Sequence, residues 1–283
     1  MHPNILHNGR ILSAGAPCLA AGQVGLLSGW GVFSTIKVID GVLFAFERHW
    51  ARMSSDAALM GVPMPEDATA VHAQLLELIG VNQARDATLR LVVVRNQGGM
   101  WEGPGERSYD VIALTAPTKQ WGHAGRLGLV EHGRHAAGRF SRAKILSWAW
   151  NLAHLEEAQR AGHDEVCLLN EHGEVAECTS ANIFVAKDGV VATPPLESGC
   201  LPGVTRDILL REVRVAGHTV TERVIQPGEF ATADEVFITS TTRDLLPIAS
   251  IGPWTIASRG EARACLQAAF NAYVAEYLTR HRR

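Results

Sequence analysis

At 283 residues and 47% hydrophobic content, the chain is long enough for two domains or one large one and for a sizeable buried core. A net charge of −3, a pI near 6.5 and no long basic run argue against a nucleic-acid surface, and the terminal Arg280-His281-Arg282-Arg283 reads as a solvated tail. No stretch approaches the roughly 20 apolar residues that span a bilayer; the 5 cysteines (Cys18, Cys167, Cys178, Cys200, Cys265) lack metal-ligand spacing and no apolar segment of signal type opens the chain, so a cytoplasmic protein with reduced thiols and no metal is expected.

In chain order, Asn8-Gly9 between Ile5-Leu6 and Ile11-Leu12 predicts a hairpin. A second hairpin follows around Asp40-Gly41; on its first strand Phe33, Thr35 and Lys37 share one face, and Ser34, Ile36 and Val38 the other. Trp50, Met53, Ala57 and Met60 recur at helical spacing over 47–60, stopped by Gly61-Val62-Pro63, and Val71, Leu75, Leu76 and Ile79 mark a second amphipathic helix over 67–79. Residues 88–95 read as a buried strand running into Asn96-Gln97-Gly98-Gly99, and 110–114 as another. The polar, Pro- and Gly-bearing piece 116–122 precedes a fresh strand at 127–130. This predicts a small N-terminal α/β domain at 1–117, a linker at 118–123 and a larger C-terminal domain at 124–283.

A helix over 147–161, closed by Gly162, leads into the stretch 164–206. There Val166-Cys167-Leu168-Leu169, the turn Glu171-His172-Gly173 and a second apolar run ending at Glu177 read as two strands. Another hairpin turns at Asp188-Gly189, and Leu201-Pro202-Gly203-Val204-Thr205-Arg206 is a loop opening a helix that runs to about Val215. A strand-end carboxylate and helix N-terminal amides thus lie close in sequence, which suits a ligand cationic at one end and phosphorylated at the other, such as a pyridine ring carrying a phosphate. A strand at 236–239 stops in Ser240-Thr241-Thr242-Arg243, and a long amphipathic helix covers 260–279.

Lysine is scarce: Lys37, Lys119, Lys144 and Lys187 are the only four. Lys119 and Lys187 read as solvated. Lys144 has apolar neighbours in Ile145 and Leu146; a desolvated amine there is the nucleophile a Schiff base needs, against the plainer reading of a strand-end lysine. Glu177 is either a solvated acid or the carboxylate that keeps a pyridine nitrogen protonated. Arg52 reads as an exposed helix arginine or as a rigid fork for phosphate, and Ser240 and Thr241 as caps or as phosphate donors. Arg95 and Arg243 follow strands into loops, where an arginine either clamps a substrate carboxylate or serves solubility. Gly98-Gly99 lacks the spacing of a dinucleotide fingerprint. Cys178 and Trp150 read as packing residues, and Trp148 as packing or as a pocket wall beside Lys144.

Taken together these residues resemble the fold-type IV, or class IV, pyridoxal-phosphate-dependent aminotransferases, a family that includes branched-chain and D-amino-acid aminotransferases and aminodeoxychorismate lyase. The resemblance covers nearly the whole chain. It rests on 31–41 (GVFSTIKVIDG), His49-Trp50-Ala51-Arg52-Met53, Lys144, Asp164-Glu165, Glu177-Cys178-Thr179-Ser180-Ala181-Asn182-Ile183-Phe184, the Leu201 to Arg206 loop and Thr239 to Asp244. It implies that Lys144 carries pyridoxal 5'-phosphate covalently and moves the substrate proton, and that Glu177 partners the ring nitrogen. Arg52, the Val204 and Thr205 amides and the Ser240 and Thr241 hydroxyls would form the phosphate cup. Substrate contacts would come from Thr35, Lys37, Arg95, Trp148, Thr242 and Arg243.

The resemblance further implies an α/β (α+β) two-domain fold with a barrel-like C-terminal sheet, amino acid and 2-oxo acid substrates, and a homodimer with shared active sites. Departures from the family concentrate on the substrate side. Ser147 and Trp148 follow the lysine where an asparagine is usual, Thr35 stands where branched-chain enzymes carry glycine, and Arg95 is followed by Gln97 where D-amino-acid enzymes carry histidine. The leading expectation is a ping-pong transaminase. The alternatives are a lyase releasing pyruvate and 4-aminobenzoate from aminodeoxychorismate, favoured by 92–99 (VVVRNQGG), and a non-catalytic binding protein on the same fold.

Overall fold

The computed structural model describes residues 1–98 and 107–282. Gly99 of the Gly98-Gly99 pair and Arg283 of the tail fall outside them. The chain divides into two compact units, each with its own sheet: Met1–Lys119, Ala143–Trp148 and Tyr277–Arg283 form the first, Gln120–Arg142 and Ala149–Glu276 the second. Residues 143–148 and 277–283, read from sequence as part of the C-terminal domain, therefore belong with the N-terminal one. The cause is local bonding: Ile145 bridges Val32, and the Tyr277 ring packs 5.2 Å from that of Phe44 while its hydroxyl donates to Glu47 Oε2 at 2.7 Å.

The first unit contains β1 (Asn4–His7), β2 (Arg10–Ser13), α1 (Val24–Ser28), β3 (Gly31–Ile39), β4 (Val42–Leu43), α2 (Phe46–Met60), α3 (Ala68–Val81), β5 (Ala87–Arg95) and β6 (Tyr109–Pro117). Its strands pair antiparallel in the order β2-β1-β6-β5-β3-β4. Asn8-Gly9 and Asp40-Gly41 turn with both residues at positive φ, as a two-residue hairpin on twisted strands requires. Val32, Ile36 and Val38 of β3 and Leu89, Leu91 and Val93 of β5 pack in one core with Met53 and Ala57 of α2 and Leu75, Leu78 and Ile79 of α3. Strand alternation places Ser34 on that helix-covered face and Phe33, Thr35 and Lys37 on the other. Asp67 caps α3 by accepting the Thr69 and Ala70 amides, and Gly61 at φ 64° closes α2 by donating to Ala57 and Ala58 carbonyls.

The second unit contains β7 (Gly125–Val130), α4 (Ala149–Arg160), β8 (Glu165–Leu169), β9 (Val175–Cys178), β10 (Asn182–Lys187), β11 (Val190–Thr193), α5 (Val204–Arg211), β12 (Thr219–Glu222), β13 (Glu235–Ser240), β14 (Asp244–Ile251), β15 (Trp254–Thr255) and the start of α6 (Ala262–His281). Its mixed nine-stranded sheet runs β12-β11-β10-β13-β14-β7-β8-β9, with β15 on β14. The parallel pairs β7–β8 and β11–β12 are bridged by connections that carry α4 and α5. The core is filled by Ile183, Ile238, Phe230 and Leu127 on one side and by the stacked Phe184–Phe237 pair, 5.0 Å apart, on the other. The helix expected from Ser147 begins at Ala149, because the Ser147 hydroxyl bonds the Ser28 and Gly29 carbonyls instead. β14 escaped the sequence reading because Pro247 stands inside it; the β7 ladder starts only at Ile248. Among the described residues no helix is long and apolar enough to cross a membrane.

Candidate active site

Lys144 lies in the first unit, in a segment that adds to the free edge of β3. Its carbonyl accepts the Phe33 N–H at 3.1 Å, and the Leu146 N–H donates to Gly31 O at 2.9 Å. Gly31 is required there: a Cβ would stand 2.5 Å from Val93 O and 2.6 Å from Leu146 Cδ1. The Lys144 amine lies 4.6 Å from the centre of the Phe33 ring, and Trp148 meets that ring edge-on at 6.3 Å. Arg90, opposite Thr35 in the β3–β5 register, places its guanidinium carbon 4.0 Å from the same ring. Burial lowers the Arg90 pKa, and no carboxylate pairs with it among the described residues. The β3–β5 face thus gathers Lys144, Phe33, Thr35, Trp148 and Arg90, with Lys37 further along β3 opposite Thr88.

Around the edge of β3, Ser34 sits between two groups of α2. Arg52 Nη2 donates to Ser34 Oγ at 2.8 Å, and Ser34 Oγ lies 2.8 Å from His49 Nδ1. Burial, then the positive charges of Arg52 and Lys144, hold the His49 pKa well below its usual value. Arg52 only donates, so Ser34 Oγ accepts from it, and Ser34 couples that guanidinium to the neutral His49 ring. Asp56, one turn beyond Arg52, accepts the Lys144 backbone N–H at 3.1 Å. Its carboxyl pKa is raised by burial, against the pull of that bond and of the Arg52 and Lys144 charges.

In the second unit Glu177, near the end of β9 and 5% exposed, contacts Arg134 Nη2 at 2.5 Å and accepts the Leu201 N–H at 3.0 Å. The Leu201 loop leads into α5, whose start at Val204 and Thr205 is buried and has no side-chain cap. Its first amides carry the positive end of the helix dipole. Asn182 ties this loop to the sheet: its amide donates to Leu201 O at 2.8 Å, and its backbone pairs with Thr239 beside the Ser240 turn. A Cβ on Gly203 would fall 2.0 Å from Asn182 Oδ1, so glycine alone admits this approach. The α5 N-terminus and the Ser240-Thr241-Thr242 turn are thereby held at one end of β10 and β13.

Two expected substrate arginines are engaged elsewhere. Arg243, its side chain 6% exposed, pairs with Glu165 Oε2 at 2.9 Å, donates to Ser180 O at 3.2 Å and Ser240 Oγ at 3.3 Å, and places its guanidinium carbon 4.0 Å from the centre of the Trp121 ring. Glu165 also receives the Thr179 and Ser180 hydroxyls. Arg95 donates to Gln97 O at 2.7 Å and Gly61 O at 2.8 Å and stacks on Trp30. Alternation along β5 puts it on the face opposite Arg90. Sequence reasoning missed Arg90, Arg134 and Asp56. A single charge inside the apolar run 89–94 was the available signal for Arg90; Arg134 and Asp56 had none, since their partners are 43 and 88 residues away. Apart from these groups, His218, Glu261 and Cys265 bring three ligand atoms within 4.8 Å of one another, with Glu261 open to solvent; spacing along the chain gives no hint of it.

The amino-transferase class IV family model matches residues 31–251. The chain is 32% identical over 262 residues to D-alanine aminotransferase of Bacillus licheniformis, covering 90% of both chains. In structure it resembles the branched-chain amino acid aminotransferase of Escherichia coli, with a TM-score of 0.85 and 26% identity over 96% of this chain and 94% of that one. A fold IV transaminase from Curtobacterium pusillum matches with a TM-score of 0.80 and 28% identity, covering 96% of this chain and 93% of that one.

Proposed function

Since the chain belongs to the class IV aminotransferases and is a pyridoxal-phosphate-dependent transaminase, we propose that Lys144 holds pyridoxal 5'-phosphate covalently. Glu177 partners its ring nitrogen, and Arg52, the Val204 and Thr205 amides and the Ser240 and Thr241 hydroxyls take its phosphate. The donor set fits such a group: a buried acid for a pyridinium, uncapped helix amides and a guanidinium for a phosphate, and an amine against an aromatic ring. When bound, the cofactor supplies the electron sink that lets the substrate Cα–H bond break. The chain's own residues do the rest. The Lys144 amine moves the proton, Arg134 and the Leu201 N–H fix the Glu177 carboxyl in place, and Ser34 with neutral His49 orients Arg52.

On the substrate side, Arg90 takes a substrate carboxylate in a pocket floored by Phe33 and flanked by Thr35 and Trp148. The observation that carries this reading is a guanidinium with no carboxylate partner among the described residues, its carbon 4.0 Å from the centre of the ring that also underlies the Lys144 amine. Amino acids and 2-oxo acids are the substrates, with a branched-chain or D-amino acid as the donor, as the relatives' names suggest; the active form is a cytoplasmic homodimer with shared sites. The test is spectroscopic. The holoenzyme should absorb near the visible edge, lose that band on adding a single donor amino acid while releasing its 2-oxo acid, and recover it with a 2-oxo acid acceptor. Lys144→Ala should lack the band. A Lys144→Ala spectrum identical to wild type, or pyruvate release without amino-group transfer, overturns the reading.

A further inference from the structure

Both backbone polar groups of Lys144 are committed, and to different elements. Its carbonyl accepts from Phe33 of β3, and its N–H donates to Asp56 of α2, 88 residues away in sequence. The Lys144 backbone is thus clamped from both sides. Asp56 is also placed four residues after Arg52 on α2, so the two side chains share one helix face. It is 6% exposed, which makes its charge costly unless matched. The charged and titratable groups facing it are Arg52 and Lys144, with neutral His49 beside both.

We infer that Asp56 is a positioning residue: its carboxylate fixes the Lys144 backbone, balances the Arg52 and Lys144 charges, and so sets the geometry and proton affinity of the reactive amine. The inference rests on the assignment of Lys144 and Arg52 above. It extends that assignment to a buried acid that acts through the Lys144 backbone. Coulombic coupling is reciprocal, so the two cations that act on Asp56 are acted on by it in equal measure. Removing its charge must make the Lys144 amine release its proton more readily, while removing its oxygen must free the Lys144 amide.

These two roles separate by substitution. Asp56→Asn keeps an acceptor for the amide and loses the charge; Asp56→Ala loses both. With only four lysines in the chain, reductive methylation with 13C-formaldehyde gives few signals in cofactor-free protein, and Lys144→Arg assigns the one of interest. In Asp56→Asn that signal should titrate at least about half a pH unit lower than in wild type, roughly threefold in proton affinity, with the Lys37, Lys119 and Lys187 signals unmoved. Asp56→Ala should in addition bind pyridoxal phosphate at least about tenfold more weakly, the effect of a misplaced reactive group.

An Asp56→Asn titration that overlays wild type overturns the inference. So does rapid amide hydrogen exchange at residue 144 in the unaltered protein, a measurement that needs no variant to fold. Neither readout depends on turnover, so both remain decisive whether or not wild-type holoenzyme shows the visible-edge band that tests the cofactor assignment.

Discussion

Replacing Arg243 with methionine removes one half of an ion pair whose side chains are 6% and 2% exposed, leaving Glu165 charged and buried. Stripping one partner from such a pair costs on the order of 3–5 kcal/mol. Thr179 and Ser180 still donate to the stranded carboxylate, which argues for the lower end, about 3 kcal/mol. At about 2–4 °C per kcal/mol for a chain somewhat shorter than this one, the thermal midpoint should fall by roughly 6–12 °C. Pairing Arg243→Met with Glu165→Gln neutralises the stranded acid and should recover about half of the loss. Urea unfolding of cofactor-free protein measures both variants, and steady-state kinetics at low temperature measures the substrate KM of each. If Arg243→Met unfolds within about 1 kcal/mol of wild type yet raises the KM for the amino acid more than about tenfold, Arg243 is a substrate clamp and not a structural partner of Glu165.

Arg90→Leu should raise the KM for amino acid and 2-oxo acid by about 10- to 100-fold, the worth of a charge-assisted pair, and leave cofactor affinity unchanged in a fluorescence titration; an unchanged KM places the carboxylate elsewhere. His49 is held neutral when folded, so below its unfolded pKa of about 6.5 the unfolded chain binds a proton that the folded one refuses. Stability should therefore fall on acidification below pH 6.5, with a slope of up to about 1.4 kcal/mol per pH unit that His49→Gln removes; equal slopes for the two proteins in urea titrations from pH 6.5 to 5 contradict this. Gly203→Ala drives a methyl onto Asn182 Oδ1 and should destabilise by about 1–3 kcal/mol while weakening pyridoxal phosphate binding; normal affinity in isothermal titration separates the loop from the phosphate.

What could be read from the sequence was local. Asn8-Gly9, Asp40-Gly41 and Asp188-Gly189 announce hairpins because their positive φ angles are a property of two residues. The Leu201 to Arg206 loop announces a helix start for a similar reason. Lys144 and Glu177 each carried a chemical and a plain reading from the sequence, and the family resemblance is what favoured the chemical one, since an amine or acid in isolation does not declare its surroundings. What stayed hidden was pairing over distance: Asp56 with Lys144, Arg134 with Glu177, Glu165 with Arg243. Arg243 and Arg95 looked available for a substrate because both follow strands into loops. A buried acid in one case, and backbone carbonyls with Trp30 in the other, take up their guanidinium groups. Each fact depends on the tertiary fold and leaves no periodic trace along the chain.

The division of the chain also bears on how the protein is made. The first unit owns residues 1–119, but it lacks the strand segment bearing Lys144 until 148 residues have been synthesised, and lacks its Tyr277 and Arg282 contacts until the chain is almost finished. Until that segment is made, the β3 edge that Ile145 bridges at Val32 in the mature fold stays uncovered. An N-terminal fragment ending at the linker holds the whole first sheet but leaves part of the β3 edge uncovered. Nascent chains stalled before residue 143 should be held by chaperones and cut by proteases that ignore the completed protein.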